Sequence, residues 1–191
     1  MSKIKKLASP DRQRLDAANG WLELGSYQEA SAELRRITHW NRNHPFVMEC
    51  RWKVAAMLKN WEEAAEVGKA LSIAMPDNHN GAVYQAVSLH EMKRTQEARD
   101  VLIAVADKFP KEFMVGFNLA RYACHFGRME ECENVLGPVF TAAKDDELRL
   151  MAMQEPDLKP FWKMVCERSK LEGHTGKGFY IPGESKHGER S

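Results

Sequence analysis

The chain lacks most of the patterns that mark membrane, secreted and zinc-binding proteins. Its 191 residues contain no apolar run of transmembrane length, and no apolar segment follows the basic residues near the start. We therefore expect no membrane contact and no secretory signal. The four cysteines include no C-x-x-C pair, the spacing typical of zinc and redox motifs. We expect reduced cysteines and a cytoplasmic protein.

An excess of charge of one sign is also missing. The chain has 28 basic and 27 acidic residues and a formal net charge of +1. Binding to phosphate groups along a nucleic acid needs lysine and arginine in excess on one face, so we expect no nucleic-acid partner. The hydrophobic content of 43% is typical of a folded globular chain.

The sequence offers little that supports catalysis. Residues 173–178 have the wrong spacing for a phosphate-binding loop, and the carboxylate pairs Glu62-Glu63 and Glu130-Glu131 lie at solvated helix starts. His90 and His125 fall at nearly equivalent places in successive units and could face one another, but no third ligand at helical spacing is evident. We expect no catalytic residue, no metal site and no cofactor, and hence a protein that is not an enzyme.

What the chain does contain is a four-residue signal that recurs every 34 residues. The four copies span residues 27–30, 61–64, 95–98 and 129–132, and each ends in a small residue preceded by glutamate: Ala30, Ala64, Ala98 and Cys132. An apolar residue followed by a turn residue keeps the same period: Leu24-Gly25, Leu58-Lys59, Met92-Lys93 and Phe126-Gly127. A fixed period of this length with helical patterning predicts a solenoid of helix-turn-helix units. The small residues mark where two antiparallel helices approach closely.

These residues resemble the tetratricopeptide repeat. Residues 24–30 and 60–64 match its turn and small-residue pattern, and Pro76 and Pro110 fall where its closing proline is expected. Trp52 is a departure, because a small residue is usual there. The resemblance implies an all-α chain that forms a right-handed α-solenoid of about four units, over residues 11–44, 45–78, 79–112 and 113–144. Each unit is expected to pair two helices, at about 11–24 with 27–41, 45–58 with 61–75, 79–92 with 95–109, and 113–126 with 129–143.

The segments outside the repeats have separate expectations. Residues 1–10 are expected to be a flexible lead and residues 172–191 a glycine-rich tail, whose apolar island at 179–182 either docks in a groove or rests loosely on the last helix. Residues 145–171 are expected to form C-terminal capping helices, ending in one from about 158 to 171. Phe161 and Trp162 should then cover the open end of the fourth unit. The stretch 155–162 also resembles the closing segment of bacterial proteins with this repeat.

The resemblance places the binding surface on the first helix of each unit, which lines the concave face in this family. The implied peptide-binding groove comprises Asn19, Glu23, Lys53, Met57, Tyr84, Val87, Glu91, Phe117, Asn118 and Arg121. Tyr84 and Arg121 are expected to anchor a partner while contributing little to folding. Trp21 and Trp61 are interpreted as core residues.

The function implied is that of a protein-interaction scaffold or adaptor, whose partner is a protein or peptide segment held in the groove. Two alternatives stay open. The first is a structural self-assembly module, in which the cap or tail joins copies into a homo-oligomer. The second is a chaperone of secreted proteins, whose members use similar repeats but tend to be shorter and acidic.

Overall fold

The computed structural model describes residues 6–142 and 146–162, and the described residues are helical with no strand among them. The nine α-helices of this part are α1 Asp11–Glu23, α2 Tyr27–Arg35, α3 Pro45–Met57, α4 Trp61–Ala74, α5 Asn80–Glu91, α6 Thr95–Ala106, α7 Phe113–His125, α8 Met129–Ala142 and α9 Asp146–Gln154. Two short 3₁₀ helices lie at His39–Asn41 and Pro156–Phe161. The all-α prediction is confirmed. No helix in these ranges combines the length and apolar character needed to cross a membrane.

The helix boundaries follow the 34-residue period closely. The predicted last helix, from about 158 to 171, begins inside the 3₁₀ helix Pro156–Phe161 instead of an α-helix, and residues 163–171 lie outside the described residues. The tail 172–191 and residues 1–5 of the lead also lie outside them. The clearest difference is α2, which ends at Arg35 instead of about residue 41. There the chain turns back toward the start of α1, because the buried Asp11 carboxylate accepts hydrogen bonds from Thr38 N at 3.1 Å, from the Thr38 hydroxyl and from Asn41 Nδ2 at 2.7 Å. The bonds from Asn41 and Thr38 hold the pKa of Asp11 below its usual value.

The four predicted turns share one backbone geometry. The residue after each first helix has a positive φ, at 73° for Gly25, 57° for Lys59, 65° for Lys93 and 70° for Gly127. In every turn this residue's N–H bonds back three residues and the next N–H bonds back five, as in Gly25 N to Leu22 O and Ser26 N to Trp21 O. This is the Schellman motif, which satisfies the last carbonyls of a helix. Two lysines adopt a conformation that favours glycine, so the turn geometry overrides residue preference.

The small residues of the repeat lie where they were predicted. Ala30, Ala64, Ala98 and Cys132 all have an exposed fraction of 0%. Helices α4 and α5 approach each other so closely that a Cβ on Gly68 would lie 2.5 Å from Gln85 N and one on Gly81 would overlap the backbone of Ser72. Only glycine allows the two backbones to come this near.

Successive helices pack against one another along the chain. Each first helix contacts its own second helix, and α2, α4 and α6 contact the first helix of the next pair. First helices also meet directly, α1 with α3 and α5 with α7. Trp52 of α3 reaches α5, where its ring stacks on Tyr84. The chain thus places α1, α3, α5 and α7 as successive neighbours.

Some apolar residues of the repeat pattern are exposed, among them Trp21, which was predicted to lie in the core. Trp21 is 39% exposed, and among the residues that close the first helices Leu24 is 74% and Phe126 39% exposed. Leu58 and Met92, at the same place in units two and three, pack against the core. The closing residue of the first helix is therefore exposed in the first and fourth units, at Leu24 and Phe126, and packed in the second and third.

Candidate functional site

The predicted groove residues of α1 and α3 are accessible. Glu23, Lys53 and Met57 are exposed and Asn19 is partly exposed. In each helix the two residues are four apart, so they lie on one face. Phe46 joins this face two turns before Lys53, and it is 52% exposed, against 51% for Met57. Along α3, the described structure therefore presents an exposed lysine with one exposed apolar side chain before it and one after it.

The predicted groove residues of α5 are less open. Glu91 is exposed, but Tyr84 and Val87 are partly buried. The Tyr84 ring stacks on Trp52 with 4.0 Å between centroids and 10° between planes. Burial, with a smaller contribution from Glu49, raises the pKa of Tyr84. Tyr84 is therefore part of the contact between α3 and α5, which differs from the expectation that it contributes little to folding.

The predicted groove residues of α7 are buried. The exposed fraction is 1% for Phe117, 0% for Asn118 and 7% for Arg121. Asn118 Nδ2 donates to the Met114 carbonyl at 2.8 Å, and Arg121 Nη1 donates to Asn118 Oδ1 at 3.1 Å. The expectation that Arg121 is an accessible anchor is therefore not met.

The segment that follows α9 contributes to this burial at Phe117 and Arg121. Arg121 Nη2 pairs with Glu155 Oε2 at 2.7 Å, and Leu158, itself 0% exposed, packs in one cluster with Phe117 and Leu136. Phe161 and Trp162 pack against the same cluster. The expected contact of these two aromatic residues with the fourth unit is confirmed. Sequence alone did not show that the segment also covers the predicted binding residues of α7.

A polar cluster joins this segment to α5 and α7. His90 Nε2 lies 3.1 Å from Asp157 Oδ2, and His125 Nδ1 lies 3.4 Å from Asp157 Oδ1. One ligand atom from each of these three residues lies within 4.8 Å of the others. On its other side, His90 Nδ1 lies 3.0 Å from Thr95 Oγ1. The expectation of no metal site rested on a missing third ligand, and Asp157 supplies one from 32 residues beyond His125.

Burial shapes the electrostatics of this cluster. It lowers the pKa of His90, and the nearby Arg121 guanidinium lowers it further, so the neutral imidazole is favoured. Burial also raises the pKa of Glu155, against the opposing effect of Arg121. The pKa of Tyr122, whose ring centroid is 4.9 Å from that of His90, is likewise raised by burial. Neutral histidine is the form that binds metal ions.

Two cysteines do not match the expectation of reduced thiols. Cys124, near the end of α7, forms a disulfide with Cys132 in the first turn of α8, with 5.7 Å between their Cα atoms. The tight turn between the helices brings the two residues together, which a search for C-x-x-C spacing did not detect. Cys50 is free and buried, and burial raises the pKa of its thiol to about 11. Disulfides persist in oxidising compartments, so this pair does not support the cytoplasmic expectation.

A separate cleft of about 330 Å³ lies between the first two units, and sequence analysis did not predict it. Its lining includes Arg35, Arg42, Asn43, Arg51 and Glu63. All three arginines have partners: Arg51 pairs with Glu63 at 3.1 Å, Arg42 donates to backbone carbonyls, and Arg35 donates to Ser31 Oγ at 3.1 Å. None of the predicted groove residues lines this cleft.

Comparisons with protein-family models, with curated proteins and with solved structures found no match for this chain. The functional argument therefore depends on the residues and geometry described above.

Proposed function

We propose that this chain is a right-handed α-solenoid of the tetratricopeptide type, and that it acts as a non-enzymatic scaffold or adaptor. Its partner is a protein or peptide segment that binds along α1 and α3, the first helices of units one and two. The observation that carries the proposal is the accessible row formed by Glu23 of α1 and by Phe46, Lys53 and Met57 of α3. These two helices contact each other, so one extended ligand can reach both.

The repeated geometry supports the solenoid. The same Schellman motif closes the first helix of all four units, and the same small position is buried in each second helix. Each second helix of the first three units contacts the following first helix. Each unit repeats the same internal turn and the same contact to the next unit. Such units stack with a constant rotation, which produces an elongated binding surface.

The chemistry of the row indicates the kind of peptide that it would bind. Phe46 and Met57 offer apolar contact before and after the exposed Lys53 along α3. A peptide with a carboxylate between two apolar side chains would match this arrangement. Methionine has a flexible, polarisable side chain that adapts to different apolar partners. Because residues 155–162 cover the α7 face, the proposed site does not extend to Phe117, Asn118 and Arg121.

Selection from a displayed peptide library tests the proposal. Peptides selected on the full chain should bind less tightly to Met57→Asp and Lys53→Glu, by about tenfold or more for each lost anchor. Matched controls lie on α4, where Ile73 and Lys69 are also exposed. Ile73→Asp and Lys69→Glu make the same chemical changes away from the row and should leave the affinity unchanged.

Two results would count against the proposal. Selected peptides that bind all four variants equally well would show that the row is not the binding surface. Failure to select any peptide, together with an oligomer whose mass rises with concentration in light scattering, would favour self-assembly.

A cytoplasmic location stays a prediction, which fractionation of the native cells would test.

A further inference from the structure

We propose that His90, His125 and Asp157 bind a divalent zinc ion that fastens the segment after α9 to α5 and α7. The three residues come from three different elements: His90 from α5, His125 from the last position of α7, and Asp157 from the 3₁₀ helix Pro156–Phe161. This site is independent of peptide binding along α1 and α3, and neither proposal requires the other.

The geometry is close to that of a tetrahedral site. Zinc holds nitrogen and oxygen ligands about 2.0–2.1 Å away, so two ligand atoms of a tetrahedral site are about 3.3 Å apart. His90 Nε2 lies 3.1 Å from Asp157 Oδ2 and His125 Nδ1 lies 3.4 Å from Asp157 Oδ1, so each imidazole nitrogen lies near a different oxygen of the same carboxylate. One ligand atom from each of the three residues lies within 4.8 Å of the others, and His125 is at the end of its helix with an exposed ring that can move to shorten the longer separations. Three protein ligands leave a fourth position for water, as in many zinc sites.

The surroundings orient the buried ligand. When Thr95 Oγ1 accepts a hydrogen bond from His90 Nδ1, the lone pair of Nε2 points toward Asp157 Oδ2. Two acceptor atoms then face each other at 3.1 Å, and a cation between them satisfies both. A metal-ligating histidine typically has such a partner on its other nitrogen. Without metal, the same pair is joined by a proton on Nε2.

The local charge also favours a divalent cation. Three carboxylates, of Glu91, Glu155 and Asp157, act on this cluster together with one guanidinium, that of Arg121. These four groups carry a formal charge of minus two, which one divalent ion balances. Arg121 would oppose a cation, but its closest pairing is with Glu155 at 2.7 Å, whereas its distance to Asp157 Oδ2 is 3.9 Å. The N₂O ligand set suits zinc better than it suits magnesium or calcium, which prefer oxygen.

Titration of the full chain with Zn²⁺ in a calorimeter tests the site. We expect one ion per chain, and an affinity reduced at least tenfold by His125→Gln and by Asp157→Asn. Thr95→Val, which removes only the partner of His90, should weaken binding about tenfold. His39→Gln removes an exposed histidine outside the cluster and should bind as the wild type does.

A second measurement separates the cluster from the cysteines. Co²⁺ in place of Zn²⁺ should give visible bands typical of tetrahedral nitrogen and oxygen coordination, without the near-ultraviolet charge-transfer band of a thiolate ligand. Saturating Zn²⁺ should also slow amide exchange in residues 155–162 of the wild type and not of His125→Gln. No Zn²⁺ binding, wild-type affinity in folded His125→Gln and Asp157→Asn, or a thiolate band would each overturn the proposal.

Discussion

Trp52 and Tyr84 form a stacked pair across the boundary between the second and third units. Their ring centroids are 4.0 Å apart, and Trp52 Nε1 donates to the Tyr84 carbonyl at 3.1 Å and to Ser88 Oγ at 3.0 Å. Trp52 occupies a position where the repeat usually has a small residue. The bulky ring is accommodated because it packs against the cluster that includes Val67 and Leu71 of α4 and extends to Tyr84 of α5.

Trp52→Ala should therefore destabilise the protein by about 3 kcal/mol, since it leaves a cavity between two units and removes the donor to buried Ser88. Chemical unfolding measures the change. Trp40→Ala is the matched control, because Trp40 is 83% exposed. Its effect should stay within about 0.5 kcal/mol. Equal losses in the two variants would show that Trp52 does not join the units.

Ala98→Leu tests the buried small position. Ala98 is 0% exposed, so the added atoms should cost about 1–3 kcal/mol through overpacking. Ala104 lies in the same helix with its side chain exposed. Ala104→Leu should leave the melting temperature close to that of the wild type. A wild-type melting temperature for Ala98→Leu would contradict the predicted repeat register.

Leu158→Ala tests the packing of the C-terminal segment on the fourth unit. Leu158 is 0% exposed and lies in one cluster with Phe117, so truncation should cost about 2–4 kcal/mol. Amide exchange in residues 155–162 should become faster, which thermal unfolding alone does not reveal. Leu150→Ala, at a position 47% exposed in α9, serves as the control and should change neither quantity. Unchanged exchange in Leu158→Ala would mean that the segment is held by its polar contacts alone.

Cys132→Ala tests the disulfide. Without reductant it should lose about 2 kcal/mol of stability, because the short loop between Cys124 and Cys132 is no longer closed in the unfolded chain. With reductant, the difference from wild type should nearly vanish, since alanine suits the repeat's small position. Cys50→Ala should show the same loss with and without reductant, because Cys50 is a free, buried packing residue. A reductant-independent loss in Cys132→Ala would show that the thiols are not paired.

The repeat period predicted most of what is local. The turns at Gly25, Lys59, Lys93 and Gly127 and the buried Ala30, Ala64, Ala98 and Cys132 follow from contacts between residues close in sequence, which a 34-residue pattern records. Contacts made once are not periodic, and apart from the packing of Phe161 and Trp162 on the fourth unit, the pattern did not predict those described here. Asp157 meets His90 from 67 residues away, and Arg121 is buried by a segment outside the repeats. The early end of α2 likewise depends on Asp11, 27 residues before Thr38.

Photo-crosslinking from position 57 tests the central claim most directly. A photoreactive amino acid replaces Met57 of α3 in one variant of the full chain and Ile73 of α4 in another, and each is irradiated with a peptide selected on the wild-type protein. Both side chains are apolar and exposed, so the two probes differ chiefly in the helix that carries them. The account predicts a crosslinked product from position 57 and none from position 73. Equal labelling at both positions, or labelling only at position 73, would contradict a binding surface on the first helices.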